Sequence, residues 1–324
     1  MAAPASAAAI PRGPLGVPPK LSDRIGEPAL RVLTTAAGVA VVGLLLWIAE
    51  TIVNDASPAI SHYGLGFVTS QAWNPVTNHF GALDFIYGTL VSSLIALLIA
   101  TPTAIAISLY LTELAPRVIR RPVAILVELL AAIPSVILGL WGIIILGPFL
   151  GNHLEPFLHG FLSWIPLFGG TASPYGMLNA ALILTIMMLP IITAVTREVF
   201  QTTPLELKEA SYALGATRWE MIKTVVLPVS RPGMTGAVIL GLGRAFGEAI
   251  AVTQVVGNAT QIKASLFAPA GTLAAQIASS YQSANPGLEQ GSLIYLALVL
   301  LVLSIIVNTI ARLIVNRGRV KVRA

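Results

Sequence analysis

The chain has 324 residues, 56% of them apolar and 10% charged, with a mean hydropathy of +0.83. Soluble domains carry about a quarter charged residues, so that class is excluded, and the absence of cysteine excludes a disulfide framework and a thiolate metal site. The net charge of +5 sits beside apolar runs, the pattern of membrane topology and anionic headgroups, so lipid is an expected partner and nucleic acid is not.

One helical crossing of about 30 Å of hydrocarbon needs about 20 apolar residues, and six such runs follow one another: 30–53, 85–111, 122–150, 177–199, 233–257 and 292–315. Ahead of the first lies a Pro- and Ala-rich stretch, residues 1–28, expected to be a solvated tail, disordered over 1–20. The first run is too long for a signal-peptide core and no cleavage pattern precedes it, so it is expected to be retained. All Lys and Arg residues except Arg244 and Lys263 fall at or before Arg31, in 117–121, in 197–231 or in 312–323, on one side of an even-numbered bundle. Basic residues stay in the cytoplasm, so both termini are expected there. Pro102, Pro134 and Pro190 interrupt the second, third and fourth runs and predict kinks. Glu50 and Asp84 are expected to be solvated near outer ends, and Glu128 to snorkel to the inner interface. The outer aromatics Trp73, Phe80, Trp164 and Phe168 suggest an interfacial belt.

Enzymatic constellations are missing from the sequence. There is no Gly-Lys dipeptide, hence no Walker A loop, and no G-x-S-x-G elbow. All four histidines lie outside the six runs; His153, Glu155 and His159 are the one conceivable metal set, and ordinary loop residues are the expectation. The run "GLGRAFG" has the spacing G-x-G-x-x-x-G without a surrounding βαβ unit, so it is not a dinucleotide fingerprint.

The longest stretch between runs on the basic side, 197–233, carries a pattern of its own. After Pro204, Leu207, Ala210, Ser211 and Leu214 recur at helical spacing and Gly215 ends the helix. Thr217 and Glu220 predict a capping box on a second short helix that ends toward Pro228. Periodicity leaves open whether this helical knob has a partner. The stretch "EASYALGATRWEMIKTVVLP", 209–228, resembles the EAA motif of ABC importer permeases, with Glu209, Ala210, Gly215, Leu227 and Pro228 in register and Ser211 and Val225 as departures. The resemblance implies that the loop, 200–232, couples the chain to a separate ATPase. ATP and Mg would be used by that partner, and no cofactor is expected on this chain.

Longer blocks carry the resemblance further. "SQAWNPVTNHFGALDFIYGTLVSSLIAL", "ELLAAIPSVILGLWG", "GRAFGEAIAVTQVVGN" and "SLFAPAGTLAAQIA" are similar to the PstC-type permeases of the phosphate ABC importer family. This implies an all-α membrane protein with six transmembrane helices in residues 29–324, a type I ABC importer permease fold with its core over about 85–315. The implied setting is the bacterial cytoplasmic membrane. The implied partners are a PstA-type second permease, a dimer of ATP-binding subunits and an extracytoplasmic phosphate-binding protein. Another oxyanion such as sulfate or molybdate, or an ion-coupled secondary transporter, are the alternatives; a secondary transporter would make the EAA-like loop a coincidence.

Arg244 and Glu248 are the candidate substrate-path residues. Counted from position 233, Arg244 falls near the middle of the hydrocarbon, where an unsheltered charge costs at least ~2.5 kcal/mol. On a continuous helix, small residues at 237, 241, 245 and 249 and at 243, 247 and 251 flank the pair and predict close packing by neighbours. A guanidinium suits a tetrahedral oxyanion, and Glu248 would hold it when no anion is bound. A static pair that only makes both charges tolerable is the other reading.

Overall fold

The computed structural model describes residues 21–317. The expected disordered segment 1–20 and the basic residues Arg319, Lys321 and Arg323 lie outside the described residues. The chain forms two units, 1–54 and 55–324. The described part of the first is helical throughout and belongs to α1, Leu21–Tyr63. The helix therefore starts inside the expected tail and extends past the expected end at position 53. From Leu30 to Leu46 its apolar side chains are exposed on every face, as suits a helix surrounded by lipid.

In the second unit, the last turns of α1 bury Ala56 and Ala59 in a core with Phe67, Phe80 and Leu293. A two-stranded hairpin follows, β1 Trp73–Asn74 and β2 His79–Phe80, paired Trp73 to Phe80 and Asn74 to His79. Asn78 turns it at φ 53°, and the Asn74 side-chain oxygen accepts from the backbone N–H of Val76 and of Thr77. Trp73 packs edge-on against Phe80 and Phe85, so these aromatics build the core rather than a belt; Trp164 stays exposed.

The remaining helices are α2 Leu83–Leu114, α3 Arg117–Ala132, α4 Ser135–Leu162, α5 Met177–Gln201, α6 Leu205–Ala213, α7 Arg218–Gly247, α8 Ile250–Val255, α9 Leu273–Ser280 and α10 Leu288–Arg317. Six helices among the described residues, α1, α2, α4, α5, α7 and α10, are long and apolar enough to cross a membrane. α5 is the most buried and forms the axis of the bundle, with α2 and α7 packed along it. α2 meets it through a stripe of small residues, Ser92, Ala96, Ala100, Ala104 and Ser108, that lets backbones approach. The Ser108 hydroxyl crosses to donate to the Thr193 carbonyl at 2.9 Å.

The third expected run does not form one helix. Ile133 is extended at ψ 125° because the following Pro134 ring excludes the helical region for it, so the chain breaks there. α3 becomes a separate amphipathic helix without a buried residue, and the crossing, α4, shifts forward to reach Leu162. Pro102 and Pro190, by contrast, sit inside continuous helices. Other prolines mark the irregularities: Pro116, Pro148, Pro156 and Pro228 each stand two residues beyond a wide turn, at Tyr110–Leu114, Gly142–Leu146, Leu150–Leu154 and Ile222–Val226. Such a turn, closed from residue i to i−5, takes up the bond the proline nitrogen cannot make and clears its ring from the preceding carbonyl. Because of the turn before Pro228, the predicted second short helix continues directly into α7.

The segment between α8 and α9 covers one end of the bundle. Leu266 and Ala268 accept through their carbonyls from the N–H groups of Leu178 and Met177 at the start of α5. Gly271 lies so close to Gly88 of α2 that a Cβ on residue 88 would sit 2.0 Å from the Gly271 carbonyl oxygen.

Candidate functional site

The fifth run holds the first candidate site, and its helix is not continuous. α7 ends at Gly247; Glu248 is extended at φ −77°, ψ 111°, and α8 begins two residues later. The cause is local: Gly247 favours no helix, and the Glu248 carboxylate accepts from the backbone N–H of Ala251 at 3.2 Å, capping α8 from the break. The two unbroken rows of small residues are therefore corrected. Ala237, Gly241 and Ala245 do pack, Gly241 against Ile192 and Met188 of α5, while Gly243 and Gly247 face open space.

Across the break, the Arg244 guanidinium lies 3.9 Å from the second Glu248 carboxylate oxygen, within ionic reach but beyond hydrogen-bond distance. The Glu248 side chain is 8% exposed and that of Arg244 43%. Arg244 opens into a cavity with Leu130 and Ile133 of α3 and its break, Leu138 of α4, and Met187 and Ile191 in the central turns of α5. Glu248 faces a second, smaller cavity whose polar lining is the hydroxyls of Thr89, Ser92, Ser93 and Thr272. Each of the three α2 hydroxyls donates to a backbone carbonyl one turn back, and the Thr89 oxygen also accepts from the Leu273 N–H at 2.9 Å, tying α2 to the start of α9.

The second candidate site is the segment around α6. Gly215 takes φ +83°, and Thr217 and Glu220 form the predicted capping box. α6 buries none of its residues, and Leu205, Leu207, Tyr212 and Leu214 are exposed, Leu214 to 90%. Trp219 carries Lys223 over its ring at 4.8 Å. A polar tie links α6 to the bundle among the described residues: Lys208 Nζ donates to Glu113 Oε1 at 2.6 Å, with side-chain exposures of 16% and 10%.

Residues 104–320 match the family described as binding-protein-dependent transport system inner membrane component. The phosphate transport system permease protein PstC of Mesorhizobium japonicum is 46% identical over 288 residues, 88% of this chain and 88% of that protein. PstC of Xylella fastidiosa is 42% identical over 92% of this chain and 93% of its own length. PstC 2 of Mycobacterium tuberculosis is 40% identical over 90% and 92%. The chain belongs to the PstC family of transport permeases. Among solved structures, a bacterial ABC transporter that imports alginate covers 91% of this chain and 99% of its own with TM-score 0.59 at 18% identity. The same type of transporter in complex with a pentasaccharide-bound periplasmic protein gives 0.57 at 20%. The fold of this PstC-family chain is thus that of an ABC importer permease: a multi-pass membrane protein and a transport subunit of an ABC complex, in a family that is not itself catalytic.

Within this permease the EAA-like residues divide into two places. Glu209, Ala210 and Gly215 are exposed on and just beyond α6, whereas Leu227 and Pro228 stand at the root of α7, Leu227 against a core of Phe200, Met221, Ile222 and Val226. Glu128, more than half exposed, accepts from Arg197 of α5 at 2.9 Å. Expectations about other acidic residues are corrected. Asp84 is buried, 4% exposed. Glu155 is buried too, accepting from the Ser173 N–H at 2.8 Å; His153 stacks on Phe149 and His159 meets the Phe168 carbonyl, so no metal set forms among the described residues. Sequence reasoning missed Lys208–Glu113 and the α2 hydroxyls. For the hydroxyls a signal existed: Thr89, Ser92 and Ser93 stand at i, i+3 and i+4 in an otherwise apolar helix.

Proposed function

We propose that this PstC-family chain is a permease subunit of an ATP-driven importer that moves inorganic phosphate across the bacterial cytoplasmic membrane. The observation that carries the reading is a guanidinium at the central level of the bundle, opening into a cavity, with a carboxylate beside it that it does not hydrogen-bond. A guanidinium that opens into a cavity with donors its carboxylate neighbour does not take attracts an oxyanion, and its planar fork grips two of the oxygens. Phosphate reaching Arg244 displaces the loose ionic contact with Glu248; when the anion leaves, the contact re-forms. Glu248 stays anchored throughout by Ala251, so the exchange needs no refolding of the break. The names of the relatives supply the anion.

The subunit works beside a PstA-type second permease, on a dimer of ATP-binding subunits that consume ATP and Mg, and below an extracytoplasmic phosphate-binding protein. Residues Glu209, Ala210 and Gly215, with the exposed apolar side chains of α6, form the face that docks on the ATPase. Both termini, and α6 with them, lie in the cytoplasm, since the basic flanks are retained there. The test is co-purification of this chain with a second permease and an ATPase, followed by uptake of labelled phosphate into vesicles with the binding protein present. ATP-dependent uptake that sulfate does not compete for is the expected result. Uptake that runs without ATP and without partners overturns the reading.

A further inference from the structure

We infer that the Lys208–Glu113 ion pair is the joint through which movement of α6 reaches the hydroxyl-lined cavity at Glu248, the partner of Arg244, with α2 as the lever. This rests on the reading of α6 as the helix that docks on the ATPase. α6 places no residue in the buried core, so most of any force it receives passes through its covalent ends and its polar tie rather than through packing. That tie is the shortest of the three pairs described here and the one in which both side chains are largely buried. Separating it strands two poorly solvated charges, so it resists both push and pull.

The other half of the joint belongs to a rod. Glu113 lies in the last turn of α2, which the Ala115 N–H closes onto the Tyr110 carbonyl at 2.6 Å and which Arg120 braces through the Thr112 carbonyl at 2.8 Å. From there α2 runs without a break to Leu83, packed along α5 and tied to it by Ser108. Near its far end, roughly 30 Å from Glu113 at the rise of an α-helix, are Thr89, Ser92 and Ser93, the hydroxyls that face Glu248. A tilt of α2 imposed at Glu113 therefore moves one wall of the Glu248 cavity against the other, and Lys208 acts as a positioning residue for transport without touching substrate.

The experiment uses the whole complex in vesicles and measures phosphate moved per ATP hydrolysed. Lys208→Met and Glu113→Gln are each expected to keep assembly and ATP hydrolysis while that ratio falls about tenfold, the size of a lost coupling contact. The exchanged pair Lys208→Glu with Glu113→Lys is expected to bring the ratio back to within about twofold, because the joint needs opposite charges rather than a given order. A wild-type ratio in both single variants, whether at full rate or with hydrolysis and transport lowered together, overturns the proposal and leaves a merely structural tie. If a single variant fails to assemble, the exchanged pair decides: an assembled double variant that still hydrolyses ATP without transport also overturns it. A wild-type complex that shows no ATP-dependent uptake sinks the functional reading instead, so the two failures are distinct.

Discussion

Lys208 and Glu113 meet at 2.6 Å with both side chains largely buried, whereas Arg244 and Glu248 approach only to 3.9 Å and leave much of the arginine exposed. The first pair has spent its charges on each other and joins two elements far apart in sequence. In the second, the carboxylate is held by a backbone N–H of its own and the guanidinium keeps donors to offer. Burial and distance thus separate a pair suited to holding from a pair suited to exchange. Arg197–Glu128 is a third case: its distance of 2.9 Å is short, but Glu128 is more than half exposed, so water competes for it.

The largest effect is expected where the exchangeable cation is removed. Arg244→Gln should lower phosphate uptake about 100-fold, the loss of a charge-assisted contact worth ~3 kcal/mol, while assembly and basal ATP hydrolysis persist. Arg244→Lys keeps the charge but not the fork, and uptake assays should place it between that variant and the wild type; equal rates for lysine and arginine would show that two-oxygen recognition is not used. Glu248→Gln removes the competitor for the anion. Phosphate should then leave the permease more slowly, by about tenfold if the loose contact is worth ~1.4 kcal/mol, and single-turnover release would measure it. An unchanged release rate in this variant would make the pair static.

Gly88→Ala replaces no charge but presses α2 against the segment before α9, beside the Glu248 cavity. Its methyl would fall 2.0 Å from the Gly271 carbonyl oxygen, and overpacking of this kind costs about 1–3 kcal/mol. Heating the purified complex should dissociate it at a lower temperature than the wild type. The smallest effect is expected from Glu128→Gln. A pair this exposed contributes at most about 1 kcal/mol, so uptake should stay within about twofold of wild type and respond little to salt.

Much of the bundle was legible in the sequence because lipid imposes a simple demand: long apolar runs with charges at their ends. The helix ends were less so. Pro134 was visible, yet whether a proline stays inside a continuous helix, as at Pro102 and Pro190, or splits it depends on whether the freed backbone groups find water or neighbours. The break at Glu248 is subtler still. A helical wheel assumes that the backbone is regular, and nothing in the run "RAFGEAIAV" announces that the glutamate caps a new helix instead of continuing the old one. The Thr217 capping box, whose two partners are three residues apart, was readable outright. Lys208 and Glu113 are 95 residues apart, and no local pattern joins them.

α6 also bears on the life of the subunit before it reaches a complex. Leu205 and Leu214 project from a helix that buries nothing, and a copy made in excess shows them to water with no surface of its own to fold them against. Under the docking proposed for α6, an orphan copy displays a greasy, easily recognised handle to proteases and chaperones, and the cell's stock of the subunit follows the supply of the proposed ATPase partner.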